Sequence, residues 1–430
     1  MEGLCVSGEQ RARKRVLLSA YACEPNKGSE PGRGWFTALE MSRFHDVWVV
    51  TRENNRERIE AALENGSRPK GLKFIYFDFP WWVRAAKVGR FTTEIYYYAW
   101  QIALIVLVRK LDRCVNFDIV HHVTFNRYSS PSALAALEKP FVWGQVGGGE
   151  TTPRAFRTSL GALGFMEDVL RNLSKWSSEV DPWVRFTARR ASIAVAGTAD
   201  TARRLRRIGA RHVEMLPGSG IAQTDLDFLG SLPAPPIEPI RFISIGRLVA
   251  WKGFHLSLAA FGQAGRPSTE YWIVGDGPER TRLERLAQQL GCADRVRFFG
   301  EVPRSRALEL LGQTSILLQP SLHDSAGWSY LEALAAGRPV ICMKLGGGES
   351  QVSEESGIRI ACEKPECAVK QIAKGIERFQ EQPELIQTMG AAGQREVAVY
   401  FTWSAKASKL LGVYERAQKS FIYNKSGDLG

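Results

Sequence analysis

The sequence predicts an α/β fold in which two doubly wound parallel sheets face each other across a cleft. Short apolar segments alternate with helical segments in the first half of the chain, beginning with RVLLSAY (15–21) and DVWVVT (46–51). The same alternation restarts at 241–245 and continues to 340–343. Between the halves lies GSLPAPPIEP (230–239), where four prolines exclude a regular helix or strand. Strands that alternate with helices at this rhythm form parallel sheets with helices on both faces.

These boundaries divide the chain of 430 residues into four segments. We predict a Rossmann-like domain over 1–229, the proline-rich linker over 230–239, a second Rossmann-like domain over 240–395, and a helical tail over 396–430 that crosses back to the first domain. Because the strand ends of the two sheets face each other, a ligand is expected in the cleft between them.

Charge is unevenly distributed along the chain. The formal net charge is +12, and residues 154–211 hold 11 Arg and one Lys against five acidic residues. This stretch is either a solvated helix face or a contact surface for anionic lipid or a polyanionic acceptor. Residues 80–113 are apolar, aromatic and basic, which fits an interfacial segment or ordinary core helices. Nucleic acid is not expected as a partner, because zinc-finger spacing, an aromatic RNP run and a KH-type loop are absent from the sequence.

The cysteine pattern and the chain's N-terminal residues favour a cytoplasmic protein, with attachment to the inner face of the membrane as an alternative. The seven cysteines form no CxxC pair and are odd in number, which predicts reduced thiols. Residues 1–14 lack the apolar core of a secretory signal. The most apolar run, 95–108, is too short to span a bilayer and contains Gln101.

A phosphate site is predicted in the segment SILLQPSLHDSAGWSYLEALAAGRPVICMK (315–344). It is a strand, a loop of turn formers, a helix that stops at Gly337, and a second strand. A loop that leads into a helix N-terminus offers backbone N–H groups and a positive dipole end to phosphate. Asp324 in the loop and Glu332 one turn into the helix can both point at a ligand held there.

Two cations lie in another strand-to-helix loop, IGRLVAWKGF (245–254). Arg247 offers a planar fork to phosphate oxygens and Lys252 adds a mobile charge, so together they could neutralise a diphosphate without a metal. The alternative is that Arg247 and Lys252 are surface residues that bind no ligand. Nearer the N-terminus, ACEPNKGSEPGRGW (22–35) is a glycine-rich loop before a helix expected at 36–44. It lacks GxGxxG spacing, so a dinucleotide site is not indicated.

Taken together, these residues resemble the retaining GT-B glycosyltransferases of glycosyltransferase family 4. The similar elements are IGRLVAWKG (245–253), VGDGP (274–278), VRFFGEVPRSR (296–306) and PSLHDSAGWSYLEALAAGRPVI (320–341). The last corresponds to the family's E-x7-E segment, but Asp324 stands at its first position, so it reads D-x7-E. Because the aspartate side chain is one methylene shorter than that of glutamate, either the loop must lie nearer the sugar or a water must bridge the carboxylate and the sugar.

The resemblance implies a GT-B architecture, with 1–229 on the acceptor side and 240–395 binding the donor. Asp324 would bond hydroxyls of the donor sugar, Glu332 would hold the ribose, and Arg247 and Lys252 would stabilise charge on the departing diphosphate. The other residues that it implies for donor binding are backbone or loop positions: Gly28, Ser29, Gly246, Gly300, Val302, Ser325, Ala326, Gly327 and Trp328. Of these, Gly300 and Val302 would meet the base, and Gly28 and Ser29 would close on the diphosphate and acceptor.

The sequence leaves alternative roles for four side chains of the N-terminal half. The resemblance places a histidine opposite the sugar, at His121 or His122; adjacent strand residues point to opposite faces, so only one can face the cleft, and we favour His122. Glu30 and Glu150 are either acceptor ligands or loop-capping residues. Gly275 and Gly277 of the other half are expected to serve a strand-to-helix turn.

The resulting hypothesis is a retaining glycosyltransferase that moves a sugar from a nucleotide-diphosphate sugar to a sugar or lipid-linked glycan acceptor in exopolysaccharide, lipopolysaccharide or other envelope glycan synthesis. We expect no cofactor and no metal, since no His, Cys or Asp cluster has metal-ligand spacing. No carboxylate is placed as a nucleophile, and the resemblance implies same-face attack. The alternatives are an inactive sugar-nucleotide-binding partner and a GT-B nucleotide-sugar epimerase.

Overall fold

A computed structural model describes residues 13–427, apart from 26, 67 and 86–88. The prediction that 1–14 carries no secretory signal therefore falls almost wholly outside the described residues. The strands are β1 (Arg15–Ala20), β2 (Asp46–Thr51), β3 (Leu72–Tyr76), β4 (Ile119–Thr124), β5 (Phe141–Val146), β6 (Ile193–Ala196), β7 (Val213–Met215), β8 (Arg241–Ile245), β9 (Glu270–Val274), β10 (Val296–Gly300), β11 (Ile316–Gln319), β12 (Val340–Met343) and β13 (Gly357–Ile360).

Helices connect these strands and close the chain. They are α1 (Ser29–Ser42), α2 (Arg56–Glu64), α3 (Trp81–Ala85), α4 (Gly89–Val115), α5 (Gly161–Val180), α6 (Pro182–Arg190), α7 (Ala199–Arg207), α8 (Gln223–Gly230), α9 (Phe254–Ala264), α10 (Arg280–Gln289), α11 (Arg304–Gly312), α12 (Trp328–Ala335), α13 (Gly346–Gln351), α14 (Pro365–Glu381), α15 (Glu384–Glu396) and α16 (Trp403–Gly427).

The strands form two parallel sheets with the same winding. The first has seven strands in the order β3-β2-β1-β4-β5-β6-β7, and the second has six in the order β10-β9-β8-β11-β12-β13. In each half, the chain first adds strands on one side of its first strand and then continues on the other side of that strand. The winding reverses between β1 and β4 in the first sheet and between β8 and β11 in the second. Loops at such a reversal diverge and leave a crevice for ligand at the carboxyl ends of the strands. The predicted doubly wound α/β fold is confirmed.

The last helix returns to the N-terminal sheet. Leu410, Val413 and Tyr414 of α16 are buried in the same core as Val16 and Leu18 of β1. Tyr414 also hydrogen-bonds the ring of His121 on β4. The first sheet is therefore completed by residues from the far end of the chain.

Two local expectations were wrong and one strand was missed. Helix α1 begins at Ser29, not at 36, so Gly34 lies inside the helix; a Cβ atom there would come 2.3 Å from the carbonyl oxygen of Ala22, so glycine at this position allows the close approach. Strand β13 was missed because its sequence, GIRI, lacks the continuous apolar run of β11 and β12. Cys362 and Cys367 are joined as a disulfide, since the turn from β13 into α14 brings their Cα atoms to 5.9 Å. The other described cysteines are free.

Candidate functional site

The loop after β11 leads directly into the N-terminus of α12. Gly327 is the N-cap residue, and no side chain caps the helix. The first N–H groups of α12 therefore have no intrahelical partner and point into the loop that contains Ser325 and Ala326. Such a terminus favours an anion such as phosphate.

The loop after β8 is held against this one by main-chain bonding. The backbone N–H of Leu322 donates to the carbonyl of Trp251 at 2.8 Å, and Trp251 lies in the short 3₁₀ turn Ala250–Lys252. This contact brings Lys252 to the second loop, where its ammonium group forms an ion pair with the Asp324 carboxylate. Each of the two side chains is about one-fifth exposed, 20% and 19%. Arg247 is exposed and forms no ion pair with any residue that the structure describes.

Glu332 lies one turn into α12 and is paired with an arginine that the sequence analysis did not single out. Arg304, the first residue of α11, contacts the Glu332 carboxylate at 2.8 Å and Asp225 of α8 at 3.0 Å. Burial raises the pKa of Glu332, while the charge of Arg304 opposes that shift. The bridge fixes the position of the Glu332 carboxyl group and joins α8, α11 and α12.

A cavity of about 600 Å³ opens between the tips of β8, β9 and β10. Gly246, Arg247 and Val302 line it, together with Gly275 and Gly277. Gly300 lies beside the cavity, where its carbonyl accepts the N–H of Gly275 at 2.8 Å. A Cβ atom built on Gly246 would lie 3.9 Å from Cε of Lys252, so the cavity wall is next to the Lys252 side chain. The two turn glycines thus both shape the turn and contact this space.

The glycine loop of the N-terminal domain faces α12 across the cleft. A Cβ atom built on Gly28 would lie 3.8 Å from Nε of Arg304 and 3.9 Å from the ring of Trp328. Ser29 begins α1 with a φ of 59°, a backbone conformation that few non-glycine residues adopt. The structure therefore brings the predicted loop at Gly28 and Ser29 to the loop 320–327, which is called the donor loop below after its predicted role.

A second cavity, of about 220 Å³, lies between the domains at this point. Its walls are Ser325 and Ala326 on one side and Glu30, Arg33 and Gln145 on the other. Glu30 forms an ion pair with Arg33 at 3.0 Å, so a carboxylate and a guanidinium face the donor loop together. Charged and amide side chains of the N-terminal domain thus share this cavity with Ser325 and Ala326 of the other domain.

The two histidines on β4 point to opposite faces of the sheet, as expected, but both are buried. His121 bonds Tyr414 at 2.8 Å, and Nε2 of His122 lies 3.0 Å from the hydroxyl of Tyr97. Burial lowers the pKa of His121 to about 4 and that of His122 to about 3, so both are neutral at pH 7. Neither lines the two cavities described above. The assignment of His122 to the sugar stays a prediction.

Glu150 has the loop-capping arrangement. Its Oε1 accepts from Thr201 at 2.8 Å and its Oε2 from the backbone N–H of Gly148 at 3.1 Å, with Thr198 as a further donor. The side chain is 4% exposed. These bonds order the GGGE loop at the edge of the cleft.

A glycine turn that was not predicted from the sequence lies beneath the loop that contains Asp324. The N–H of Gly347 donates to the carbonyl of Asp324 at 2.6 Å. A Cβ on Gly346, whose φ is +52°, would lie 2.3 Å from that carbonyl oxygen. The only available signal was the run of three glycines after β12. Within the described residues no group of three His, Cys, Asp or Glu side chains is placed to hold a metal ion, and no helix there is both long and apolar enough to cross a bilayer.

Two facing Rossmann-like domains with ligand loops on both sides of the cleft define a GT-B protein. Residues 233–396 match the family model described as "Glycosyl transferases group 1". That segment contains the donor loop, Lys252, Arg304 and Glu332. It does not include the glycine loop at Gly28.

Comparison with individual proteins agrees with this fold. The chain is 28% identical over 228 residues to the lipopolysaccharide core biosynthesis glycosyltransferase LpsD of Rhizobium meliloti, an alignment that covers 51% of this chain and 62% of that protein. Sucrose-phosphate synthase from Thermosynechococcus elongatus superposes with a TM-score of 0.63 at 17% identity, over 94% of this chain and 99% of that one. Anabaena HepE in complex with UDP gives a TM-score of 0.59 at 16% identity, with the same coverage. The chain thus spans less than two thirds of the curated relative.

Proposed function

We propose that this chain is a retaining glycosyltransferase that moves a sugar from a nucleotide-diphosphate sugar to a sugar or lipid-linked glycan acceptor in envelope glycan assembly. The observation that carries the proposal is the Lys252–Asp324 ion pair at the loop that leads into the uncapped N-terminus of α12, with Glu332 one turn into the same helix. The match of 233–396 to group 1 glycosyl transferases and the relative named as a lipopolysaccharide core glycosyltransferase support it.

In this proposal the diphosphate lies on the N–H groups of α12, with Lys252 and Arg247 beside it. The base extends into the 600 Å³ cavity, where Val302 contacts it. The ribose lies toward α12, where Glu332, held by Arg304, accepts from its hydroxyls. The donor sugar points toward Asp324. Because Lys252 is paired with Asp324 in the present structure, donor binding gives each group a new partner: the phosphate for the ammonium, and a sugar hydroxyl for the carboxylate.

Transfer breaks the bond between the anomeric carbon and the diphosphate oxygen and forms a bond from an acceptor oxygen on the same face. The electron pair of the broken bond stays on the leaving phosphate, which also takes the acceptor's proton. Fixed cations that face this developing charge stabilise the transition state more than the ground state. Arg247 and Lys252 supply that charge, so we propose that the reaction needs neither a metal nor another cofactor. We also propose a cytoplasmic location; the free thiols at Cys23, Cys292 and Cys342 favour it, whereas the Cys362–Cys367 disulfide does not.

UDP-, GDP- and ADP-sugars are first screened for binding by thermal shift. The anomeric configuration of the product formed from the donor that binds is then determined by NMR. Glu332→Gln should weaken donor binding about tenfold to a hundredfold, because one charged hydrogen-bond acceptor is lost. Glu309→Gln is the matched control, since Glu309 pairs with Arg306 on the exposed face of α11. An inverted product, or unchanged donor affinity in Glu332→Gln, would contradict the proposal. Donor binding without transfer or hydrolysis would favour an inactive binding partner, and donor conversion without acceptor an epimerase.

A further inference from the structure

Helix α5 directs polar side chains inward and apolar side chains outward. Asp168 and Lys175 are buried, whereas Leu170 and Trp176 are 62% and 68% exposed. The buried groups have partners: Asp168 pairs with Arg157 at 2.9 Å, and the Lys175 ammonium donates to the backbone carbonyl of Glu150. A surface helix ordinarily buries its apolar stripe and exposes its polar one. The reversed arrangement indicates that the outer face of α5 meets something other than water.

The outward residues form one continuous row, here called the α5 stripe. Each is more than half exposed, and they recur at intervals of three or four residues: Leu163, Met166, Leu170, Leu173, Trp176 and Val180. At the helical rise per residue the row is about 26 Å long. Apolar surface in a row of this length marks an interaction site.

Further exposed apolar residues lie near the stripe. Trp183 and Phe186 follow on α6, and Ile102 of α4 lines a cavity of about 550 Å³ between α4 and α5. On the α5 side the cavity is lined by three serines that flank the stripe: Ser174, Ser177 and Ser178. Phe125 and Arg127 line this cavity and also the cavity between the domains, so an open space leads from the side of α5 to the cleft.

Positive charge flanks the stripe. A cavity of about 340 Å³ beside Trp176 is lined by four arginines and one carboxylate, Glu179, which pairs with Arg204. The arginines are Arg154, Arg157, Arg204 and Arg207. Arg154 is exposed and has no carboxylate partner in the part of the chain that the structure describes, and Arg207 reaches Glu179 only at 3.5 Å. Tryptophan next to arginine, at the border of an apolar face, is the side-chain chemistry of a membrane interface with anionic headgroups.

We propose that the α5 stripe docks on an anionic lipid bilayer, with its apolar side chains in the acyl boundary and the arginine cavity on lipid phosphates. A second copy of the chain is a weaker occupant, because an equally basic surface offers no anion to Arg154 and Arg207, whereas lipid phosphates do. Docking does not depend on the proposed transferase activity. Its consequence does rest on it: the cavity between α4 and α5 would lead a lipid-linked acceptor from the bilayer to the cleft.

Vesicle flotation of the full chain tests this, with phosphatidylcholine vesicles alone or mixed with phosphatidylglycerol. The wild type should float with the mixed vesicles and should do so less at high salt. Leu170→Glu combined with Leu173→Glu should lower the partition coefficient about 100-fold or more, because two leucine side chains no longer enter the apolar phase. Val399→Glu, at an apolar position of similar exposure on another segment, should float like the wild type.

A second variant tests the charge. Arg154→Gln should lower partitioning into the mixed vesicles about fivefold, the contribution of one arginine near an anionic surface. Thermal shift with the nucleotide sugar should be unchanged in every stripe variant, so failure of docking and failure of the transferase proposal give different results. Flotation of the double leucine variant at the wild-type level would overturn the inference. So would a wild-type dimer that this variant splits without any vesicle binding, since that result would assign the stripe to a protein interface.

Discussion

Replacing Lys252 with methionine should reduce transfer far more than it reduces stability. The ammonium group is paired with Asp324 at the point where the two donor loops touch, and both side chains are about four-fifths buried. At about 4 Å from a phosphate charge, an ammonium in such a site contributes about 4 kcal/mol with an effective dielectric constant of 20. Part of this interaction energy is realised only in the transition state. Its removal should lower kcat by roughly 100- to 1,000-fold, as removal of a fixed hydrogen-bond donor at a developing anion does.

The fold should tolerate the same change. A partly exposed ion pair contributes about 1 kcal/mol or less, and Asp324 retains contact with water after Lys252 is removed. Methionine keeps the length and most of the apolar surface of the lysine side chain. We therefore expect the melting temperature to change by no more than about 3 °C.

Steady-state kinetics with the donor identified by screening would measure the effect, with melting curves for each variant. The loss should fall mainly on kcat, because the charge that Lys252 stabilises is largest in the transition state. Lys374→Met on the exposed side of α14 is the control for loss of a lysine. A double variant with Asp324→Asn should lose less than the sum of the single changes if the pair acts as a unit. A Lys252→Met enzyme within about twofold of wild-type kcat would refute the assigned site.

Three other perturbations give distinct expectations. Asp324→Glu should retain activity, because the carboxylate can still reach Lys252, whereas Asp324→Ala should lose at least about tenfold in kcat/KM; equal behaviour of the two would contradict the D-x7-E assignment. Gly346→Ala should displace the donor loop, because its Cβ would lie 2.3 Å from the Asp324 carbonyl, and should lower donor affinity measured by calorimetry, with Gly230→Ala, where a Cβ meets open space, as its control. The lowered pKa of His121, about 4, and of His122, about 3, means that the unfolded state binds more protons once the pH falls below about 6.5. Unfolding free energy should therefore decrease as the pH falls from 6.5 to 4, by about 2 kcal/mol per histidine at pH 5. Urea unfolding at pH 7 and pH 5 measures this, and His122→Gln, but not the exposed His212→Gln, should reduce the difference.

The loops that hold the predicted donor site could be located from the sequence because their signals are local. Each loop follows a short apolar strand, and the residues that matter lie within eight positions of each other, as Asp324 and Glu332 do. A parallel sheet then places adjacent strand ends at one edge, so Lys252 and Asp324 meet although 72 residues separate them. Their position follows from strand order, which the alternation of strands and helices already indicates.

Contacts set by tertiary packing could not be read in this way. Arg304 lies 28 residues before Glu332, in a helix whose rotation no sequence pattern fixes, so the bridge to Asp225 was not foreseen. The reversal of α5 was also missed, although 154–211 was recognised as basic. Its apolar residues have ordinary helical periodicity, and periodicity alone does not tell which face is turned inward. Buried Asp168 and Lys175 settle that orientation.

The backbone at Asp324 is fixed from below, because the N–H of Gly347 donates to its carbonyl oxygen and Gly346 leaves room for the approach. With the backbone fixed in this way, the Asp324 carboxylate meets the ammonium group of Lys252, whose long flexible side chain extends to it across the touching loops. A carboxylate on a side chain one methylene longer can meet the same ammonium group, because the lysine side chain can change its rotamer. We therefore expect activity at position 324 to depend on Lys252 more than on the length of the acidic side chain.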